Sequence, residues 1–176
     1  LQDHPGSHLH DGGRDNLING GITRNLMLLM ASNPNMQESK QAASLFSMNV
    51  DIKRMSDHAM NIAEAGDDMT RNDLSFSVVA YDELNQLANY IFESLKLIDL
   101  IIETGDYELF ERIKKNEDTI DDLCIRYREI EIGRMKENTD EAESGVIYSG
   151  LLIDIERIGD HIMNIARNLC ESYEGQ

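Results

Sequence analysis

The 176-residue sequence predicts an all-α protein that folds as an up-and-down antiparallel helical bundle of two related units. Apolar residues recur at three- and four-residue spacing over most of the chain, which is the period of an amphipathic α-helix. The segments between these stretches are short, so consecutive helices have to run antiparallel. A polar phrase also occurs twice, about a hundred positions apart, which indicates a duplicated supersecondary unit.

The first predicted elements are an irregular segment and a long helix. Residues 1–13 contain histidines, glycines and a proline without helical periodicity, so we expect an irregular N-terminal segment there. Helical periodicity begins after it. Asn33, followed by Pro34, is predicted to be the N-cap of a helix that runs to Gly66.

Three further helices are predicted in the second half of the chain. The first of them ends at Gly105, and Asp106 is expected to cap the next. Asn138 and Glu141 have the spacing of a capping box for the last helix. The apolar stripe of the first of these helices consists of Leu84, Leu87, Ala88, Ile91, Phe92, Leu95, Ile98, Ile101 and Ile102.

The repeated phrase divides the chain into two units. It runs over residues 51–63 and returns over residues 154–166 with nine identities in thirteen positions. We therefore predict an incomplete first unit over residues 14–68 and a complete three-helix unit over residues 72–173. The first unit lacks a counterpart of one helix, so we expect an upstream part of a longer polypeptide, or another subunit, to cover its apolar face.

The charge of the chain limits its partners. Sixteen Lys and Arg residues against 33 Asp and Glu residues give a formal net charge of −17. This charge opposes binding to DNA, RNA and anionic lipid, and it favours cations or basic protein surfaces. No stretch approaches the roughly 20 apolar residues of a membrane span. We therefore expect no nucleic-acid partner, and contact with a membrane only through a partner or an upstream region.

Several charged residues of the repeated phrase are predicted to form an interior polar network. Asp51 and His58 fall on the helix face that points into the bundle, and so do Asp154 and His161. An arginine three residues after each of these aspartates can bond it and the next aspartate, which would fix the register of the helices. The predicted network consists of Asp51, Arg54, His58, Asp154, Arg157 and His161.

A second group of carboxylates suggests a metal site. Glu117 and Asp121 are four residues apart on one helix, and Glu156 and Asp160 are four apart on its antiparallel neighbour. If the four converge, their oxygens suit hard cations such as Mg²⁺, Mn²⁺ or iron. The alternative is a solvated acidic face. In the first unit, Lys53 and Asn19 replace two of these carboxylates, so we expect any metal on the second unit.

The phrase resembles the signature of the PhoU family. The resemblance rests on Asp154-x-x-Arg157-x-x-Asp160-His161 with Asn164 following, doubled in the first unit, and it covers residues 14–172. It implies tandem three-helix repeats and a role in phosphate uptake and phosphate signalling. Residues 18–29 also resemble a helix of the cytoplasmic PhoU-like domain attached to bacterial sodium/phosphate cotransporters.

The resemblance also implies metal ligands. Some PhoU proteins carry multinuclear metal clusters on Glu/Asp-x-x-x-Asp motifs at the bundle surface. Matched position by position, the nominated ligands for a divalent metal or iron are Glu117, Asp121, Glu156 and Asp160, with Asp57 as the intact member of the phrase pair in the first unit.

The functional hypothesis is a non-enzymatic regulatory domain that docks on, or forms part of, a phosphate transporter. A phosphate transporter or sensor kinase is the expected partner, a homodimer is one way to cover the exposed face, and a cytoplasmic location at the inner face of the cell membrane is expected. Two alternatives remain open. One is a carboxylate-bridged metalloenzyme such as a phosphohydrolase. The other is a phosphotransfer bundle that uses His58 or His161, which their inward positions disfavour.

Overall fold

The computed structural model describes residues 11–137 and 142–173, and it describes side chains over residues 16–137 and 142–172. The predicted all-α class is confirmed, and no strand occurs within these ranges. A short 3-10 helix, Tyr107–Leu109, lies between the third and fourth α-helices. The α-helices are α1 (Asp11–Ala31), α2 (Met36–Arg71), α3 (Val78–Thr104), α4 (Phe110–Glu137) and α5 (Ala142–Tyr173).

The start of α2 differs from the prediction. Asn35, not Asn33, is the N-cap: its side chain accepts a hydrogen bond from the Glu38 backbone N–H, and the Glu38 carboxylate accepts one from the Asn35 N–H, each at 2.9 Å. Asn33 lies in the preceding loop with a left-handed φ of 57°. The reason is that only Asn35 has a glutamate three residues later, which completes a capping box. The helix also continues past Gly66 to Arg71.

The other helix boundaries agree more closely with the sequence. Helix α1 begins at Asp11, so residues 11–13 are helical and not irregular as predicted, while the first ten residues lie outside the described part. Gly105 ends α3 in the left-handed conformation, as predicted. Asp106 caps the short 3-10 helix that precedes α4, whereas the prediction had it cap the long helix itself. The predicted capping box of Asn138 and Glu141 lies outside the described residues.

Helix α5 is the centre of the bundle, because it packs against α2, α3 and α4. Contacts at successive positions show that it runs antiparallel to α2 and α4 and parallel to α3. Its apolar face meets those of α3 and α4 in the core. The largest fully buried side chains there are Leu87, Ile101, Ile113, Ile120, Cys124, Tyr148, Leu152 and Ile162.

A buried polar cluster joins α3, α4 and α5 near one end of the bundle. The Glu83 carboxylate, which is 8% exposed, accepts hydrogen bonds from the Arg134 guanidinium at 2.7 and 3.0 Å and from the Tyr148 hydroxyl at 2.6 Å. Burial, together with this hydrogen bond, raises the pKa of Tyr148 above its usual range. A charge-assisted network of this kind holds the three helices in one register.

Helix α1 lies at the edge of the bundle and packs on α2. It buries Leu26 and Asn19 and leaves most of its other apolar side chains in solvent. None of the described helices combines the length and the apolar character that crossing a membrane requires. The exposed apolar residues of α1 are Leu17, Ile18, Ile22, Met27, Leu28, Leu29 and Met30.

Candidate metal centre and the polar network between the units

The repeated phrase brings two aspartate–histidine pairs together across the contact of α2 with α5. His58 Nδ1 lies 2.7 Å from Asp154 Oδ1, and His161 Nδ1 lies 2.9 Å from Asp51 Oδ1. Because an ionised carboxylate only accepts hydrogen bonds, each imidazole donates through Nδ1. Each unit therefore supplies the histidine for the aspartate of the other unit.

The same exchange extends to two asparagines. Asn61 Nδ2 donates to Asp154 Oδ1 at 2.9 Å, and Asn164 Nδ2 lies 3.5 Å from Asp51 Oδ1. The His58 and His161 rings stack on each other, with centroids 5.8 Å apart and an angle of 26° between their planes. Equivalent residues of the two phrases thus meet around a pseudo-two-fold axis between α2 and α5.

The predicted aspartate–arginine–aspartate arrangement within each helix forms only in part. Arg157 donates to Asp160 Oδ2 at 3.0 Å, as predicted. Asp57, however, is bonded by Lys53 at 2.6 and 2.8 Å, and Arg54 forms no ion pair within the described residues. Asp51 and Asp154 bond histidine instead of arginine because they point from one helix towards the other.

Three of the nominated carboxylates converge between α4 and α5. One oxygen each from Glu117, Asp121 and Asp160 lies within 4.8 Å of the other two. No other group of three or more His, Cys, Asp or Glu side chains in the described ranges is this close. We call these three residues the carboxylate cluster.

The carboxylates of the cluster repel one another. Partial burial raises the pKa of Glu117 and of Asp121, and the neighbouring carboxylates raise both further. Asp121 Oδ1 is buried and has no hydrogen-bond partner, the one such side-chain atom in the described part of the chain. A buried acceptor with no partner costs free energy that a bound cation would recover.

The residues present therefore fit a hard divalent cation or iron. The donor set is all oxygen, and it comes from two helices that the core already holds in place. One of its oxygens also lacks any other partner. The cluster supplies three protein ligands, and a cation held there would take its remaining ligands from water or from a bound anion.

The other two nominated ligands lie differently. Glu156 is close enough to raise the pKa of Asp121, but its Oε2 lies 3.2 Å from the Arg128 guanidinium, which draws it away from the cluster. Asp57 lies on α2, exposed, with its charge offset by Lys53. Asn19 occupies the position equivalent to Asp121 and is buried, where its backbone carbonyl accepts from Asn49.

Three residues of this region, and the bonding role of a fourth, Asn164, were not predicted from the sequence. Asn61 and Asn164 are identical in the two phrases, which was the available signal for their role. Arg128 follows no motif, and neither does Arg167, which lies near Glu117 and partly offsets the rise in the pKa of that carboxyl. The position of these two arginines depends on how α4 and α5 face each other, which periodicity alone does not specify.

Two related helical units, joined by reciprocal aspartate–histidine pairs and carrying a carboxylate cluster on the second unit, define a helical repeat protein with a candidate cation site. The particular family follows from comparison with known sequences. The PhoU domain model matches residues 16–66 and 84–169, which is most of the chain, and the protein belongs to the PhoU family.

Curated relatives agree with this assignment. The chain is 28% identical over 142 residues to the phosphate-specific transport system accessory protein PhoU homolog 1 of Thermotoga maritima. The alignment covers 79% of this chain and 57% of that relative. The chain is 23% identical over 137 residues to the putative inorganic phosphate export protein YjbB of Escherichia coli. That alignment covers 77% of this chain and 25% of that protein. The chain thus spans only part of the length of these relatives.

Solved structures confirm the fold. The crystal structure of PhoU from Pseudomonas aeruginosa superposes with a TM-score of 0.79 at 18% identity, over 94% of this chain and 82% of that one. The phosphate transport system regulatory protein PhoU from Streptococcus pneumoniae gives a TM-score of 0.76 at 22% identity, over 94% and 78%. The predicted all-α, PhoU-like helical bundle is therefore confirmed, and its two-repeat organisation is consistent with these structures.

Proposed function

We propose that this chain is a non-enzymatic regulatory domain in phosphate uptake and phosphate signalling, which docks on or forms part of a phosphate transporter. The observation that carries the proposal is the match to the PhoU domain in both units, together with relatives named for phosphate transport and phosphate export. The chain works at the cytoplasmic face of the cell membrane, where a transporter or a sensor kinase offers it a surface.

The exposed face of α1 supports a docking role. Seven apolar side chains of this helix face solvent, and exposed apolar surface of this kind often marks an interaction site. The transporter, an upstream helix or a second copy of the chain covers this face. The strong negative charge favours a basic surface on the partner.

The carboxylate cluster is the candidate switch of the domain. A divalent metal or iron held there would neutralise three like charges and link α4 to α5. Glu117, Asp121 and Asp160 would hold it, and Glu156 stays with Arg128. Occupancy of the site then changes the stiffness of the second unit, and through the aspartate–histidine pairs it changes how the two units pack.

Phosphate uptake by cells tests the regulatory role. Deletion of the coding region for residues 11–173 from its native locus is expected to abolish the adjustment of labelled-phosphate uptake to external phosphate. A point variant, Glu117→Gln with Asp121→Asn, tests the metal and is expected to weaken that adjustment. A control with Glu129→Gln, an exposed charge elsewhere on α4, should behave like the wild type. Unchanged adjustment in the deletion strain would contradict the proposal.

A second assay separates this role from the metalloenzyme alternative. The purified chain is mixed with a chromogenic phosphoester and Mn²⁺. We expect no turnover above the rate of Mn²⁺ alone, and turnover that Asp121→Asn abolishes would favour the enzyme instead.

A further inference from the structure

A polar cleft of about 480 Å³ lies beside the stacked histidines, on the pseudo-two-fold axis between α2 and α5. Three arginines line it: Arg54 from α2, and Arg157 and Arg167 from α5. We call it the arginine cleft. His58 and His161 line it too, and their rings are fixed through Nδ1 by the aspartates of the opposite unit.

The duplication explains why two of the three arginines lie in one cleft. Arg54 and Arg157 occupy equivalent positions in the two phrases, and the axis between α2 and α5 brings both into one cleft. Arg167 has no such counterpart, since the equivalent position in the first unit is Glu64. The third arginine is therefore a property of this cleft and not a consequence of the repeat.

The arginines keep most of their hydrogen-bonding capacity. Each guanidinium has five N–H donors. Arg157 donates one hydrogen bond to Asp160, and Arg167 donates one to Asn164 Oδ1 at 3.2 Å. Arg54 has no ion pair among the described residues. In a chain of net charge −17 with only 16 Lys and Arg residues, three exposed guanidinium groups line this cleft against two carboxylates, so its lining carries a net positive charge.

The plain alternative is that these arginines only balance nearby carboxylates. Glu117 and Asp160 also line the cleft, and Arg157 is bonded to Asp160. That explanation accounts for Arg157 and for the proximity of Arg167 to Glu117. It does not account for Arg54, which faces the cleft from the other unit without a carboxylate partner in the described residues.

We propose that the arginine cleft binds a tetrahedral oxyanion, either inorganic phosphate or the phosphate group of a small phosphomonoester, through the guanidinium groups of Arg54, Arg157 and Arg167. Guanidinium groups match the oxygen spacing of phosphate and can bond it in pairs. The choice of phosphate among tetrahedral oxyanions rests on the proposed function, whereas the cleft itself does not.

The cleft adjoins the carboxylate cluster, because Glu117 and Asp160 belong to both. Their negative charges repel an anion when the cluster holds no cation. A cation would remove that repulsion, so phosphate binds the metal-free chain and binds it more tightly when Mn²⁺ is present. By thermodynamic linkage, phosphate then raises the affinity for Mn²⁺ by the same factor.

Equilibrium dialysis with the whole purified chain tests the proposal, with labelled inorganic phosphate or labelled glycerol 3-phosphate as probe and with EDTA or Mn²⁺ present. The wild type is expected to bind one of the probes at a single site. Arg54→Gln and Arg167→Gln should each weaken binding at least about tenfold, the loss of one charge-assisted contact. Arg54→Lys keeps the charge and should weaken it less.

Arg112→Gln is the matched control, since Arg112 is an exposed arginine that pairs with Glu93 and does not line the cleft. It should bind like the wild type. Failure of the wild type to bind either probe, or equal weakening by Arg112→Gln, would overturn the proposal. Arginine-dependent binding of sulfate as tight as that of phosphate would uphold the oxyanion site and remove its link to phosphate. The uptake assay in cells is independent of this binding assay. If the deletion strain still adjusted its phosphate uptake, the regulatory role would be contradicted, but the oxyanion site would not be.

Circular dichroism and thermal melting of each variant show whether it folds. Arg54 and Arg167 are exposed, so we expect native melting curves. If Arg167→Gln has a lowered melting temperature, Arg54→Gln and Arg54→Lys still test whether the cleft binds the probe. Arg54 contributes no ion pair among the described residues, so its replacement removes none.

Discussion

Asp51 and His161 illustrate how single residues connect the two units. Each is largely buried, and their hydrogen bond crosses from α2 to α5. We predict that a double-mutant cycle of Asp51→Ala and His161→Ala gives a coupling of about 2 kcal/mol, the usual size for a hydrogen bond to a charged group. Urea unfolding measures it. The cycle of His58 with Asp154 should give a similar value, and additive effects in both cycles would contradict the observed pairing.

Asp121 is the member of the carboxylate cluster that lies beside the most other carboxylates and has an unpaired buried oxygen. Its raised pKa means that the folded state disfavours the ionised form, so at neutral pH this carboxylate lowers the free energy of unfolding. We predict that Asp121→Asn stabilises the metal-free chain by about 0.5 kcal/mol, the size of one like-charge pair on a helix.

The same substitution should remove stabilisation by metal. Adding Mn²⁺ is expected to raise the melting temperature of the wild type and of Glu129→Gln, and to leave that of Asp121→Asn unchanged. Destabilisation of the metal-free Asp121→Asn chain, or an equal response to Mn²⁺ in all three proteins, would argue against the cluster as the site.

Cys124 offers a test of core burial. Burial raises the pKa of its thiol to about 12. At pH 8 only about one molecule in ten thousand then carries the reactive thiolate. We predict that Cys124 resists a thiol reagent in the folded chain and reacts once urea unfolds it, which mass mapping of the modified peptides can follow. Rapid modification of Cys124 under native conditions would show that the core opens.

At the scale of helices, side chains of α4 crowd Gly145 of α5. A Cβ atom there would lie 2.5 Å from Met135 Sδ and 3.0 Å from Glu131 Oε1. We predict that Gly145→Ala lowers the free energy of unfolding by about 1 kcal/mol, through overpacking. Gly150→Ala, in the same helix with open space around its Cβ, should raise it by up to about 1 kcal/mol. Equal effects of the two substitutions would mean that the helices do not meet there.

Glu83 shows how one carboxylate holds three helices together. Replacing it with alanine leaves the buried Tyr148 hydroxyl without its partner and leaves Arg134 paired with Glu131 alone. We predict a loss of about 2 kcal/mol, since a buried hydroxyl is left unpaired and part of a buried ionic network is lost. Glu93→Ala, which breaks the exposed pair with Arg112, should cost less than about 1 kcal/mol. Denaturant titration of both variants makes the comparison.

The sequence predicted the helices better than it predicted the contacts between them. Gly105 and Asp106 act where local chemistry alone decides, so their roles were predictable. The start of α2 was missed because Asn33 and Asn35 are both good caps, and only the glutamate at position 38 distinguishes them. The bonding of Asp51 and Asp154 to histidines, like the pairing of Glu156 with Arg128, depends on how helices face each other, which the pattern along one helix does not contain.

For the whole molecule, the duplication is the feature that organises both candidate sites. It places α2 and α5 against each other at the centre, so that equivalent histidines and arginines meet on one axis. Divergence between the units then leaves the carboxylate cluster on the second unit, beside the arginine cleft. The candidate cation site and the proposed anion site thus share Glu117 and Asp160, which would couple the binding of the two ions.

The most direct measurement is affinity purification of the native polypeptide that contains this chain, under its own promoter, from detergent-solubilised membranes of cells grown in high and in low phosphate. Mass spectrometry identifies what is bound to it and gives its intact mass. We expect a phosphate transporter, either as a bound partner or as part of the same polypeptide, in an amount that changes with phosphate supply or with the Asp121→Asn substitution. Absence of any phosphate transporter in both conditions would contradict this expectation.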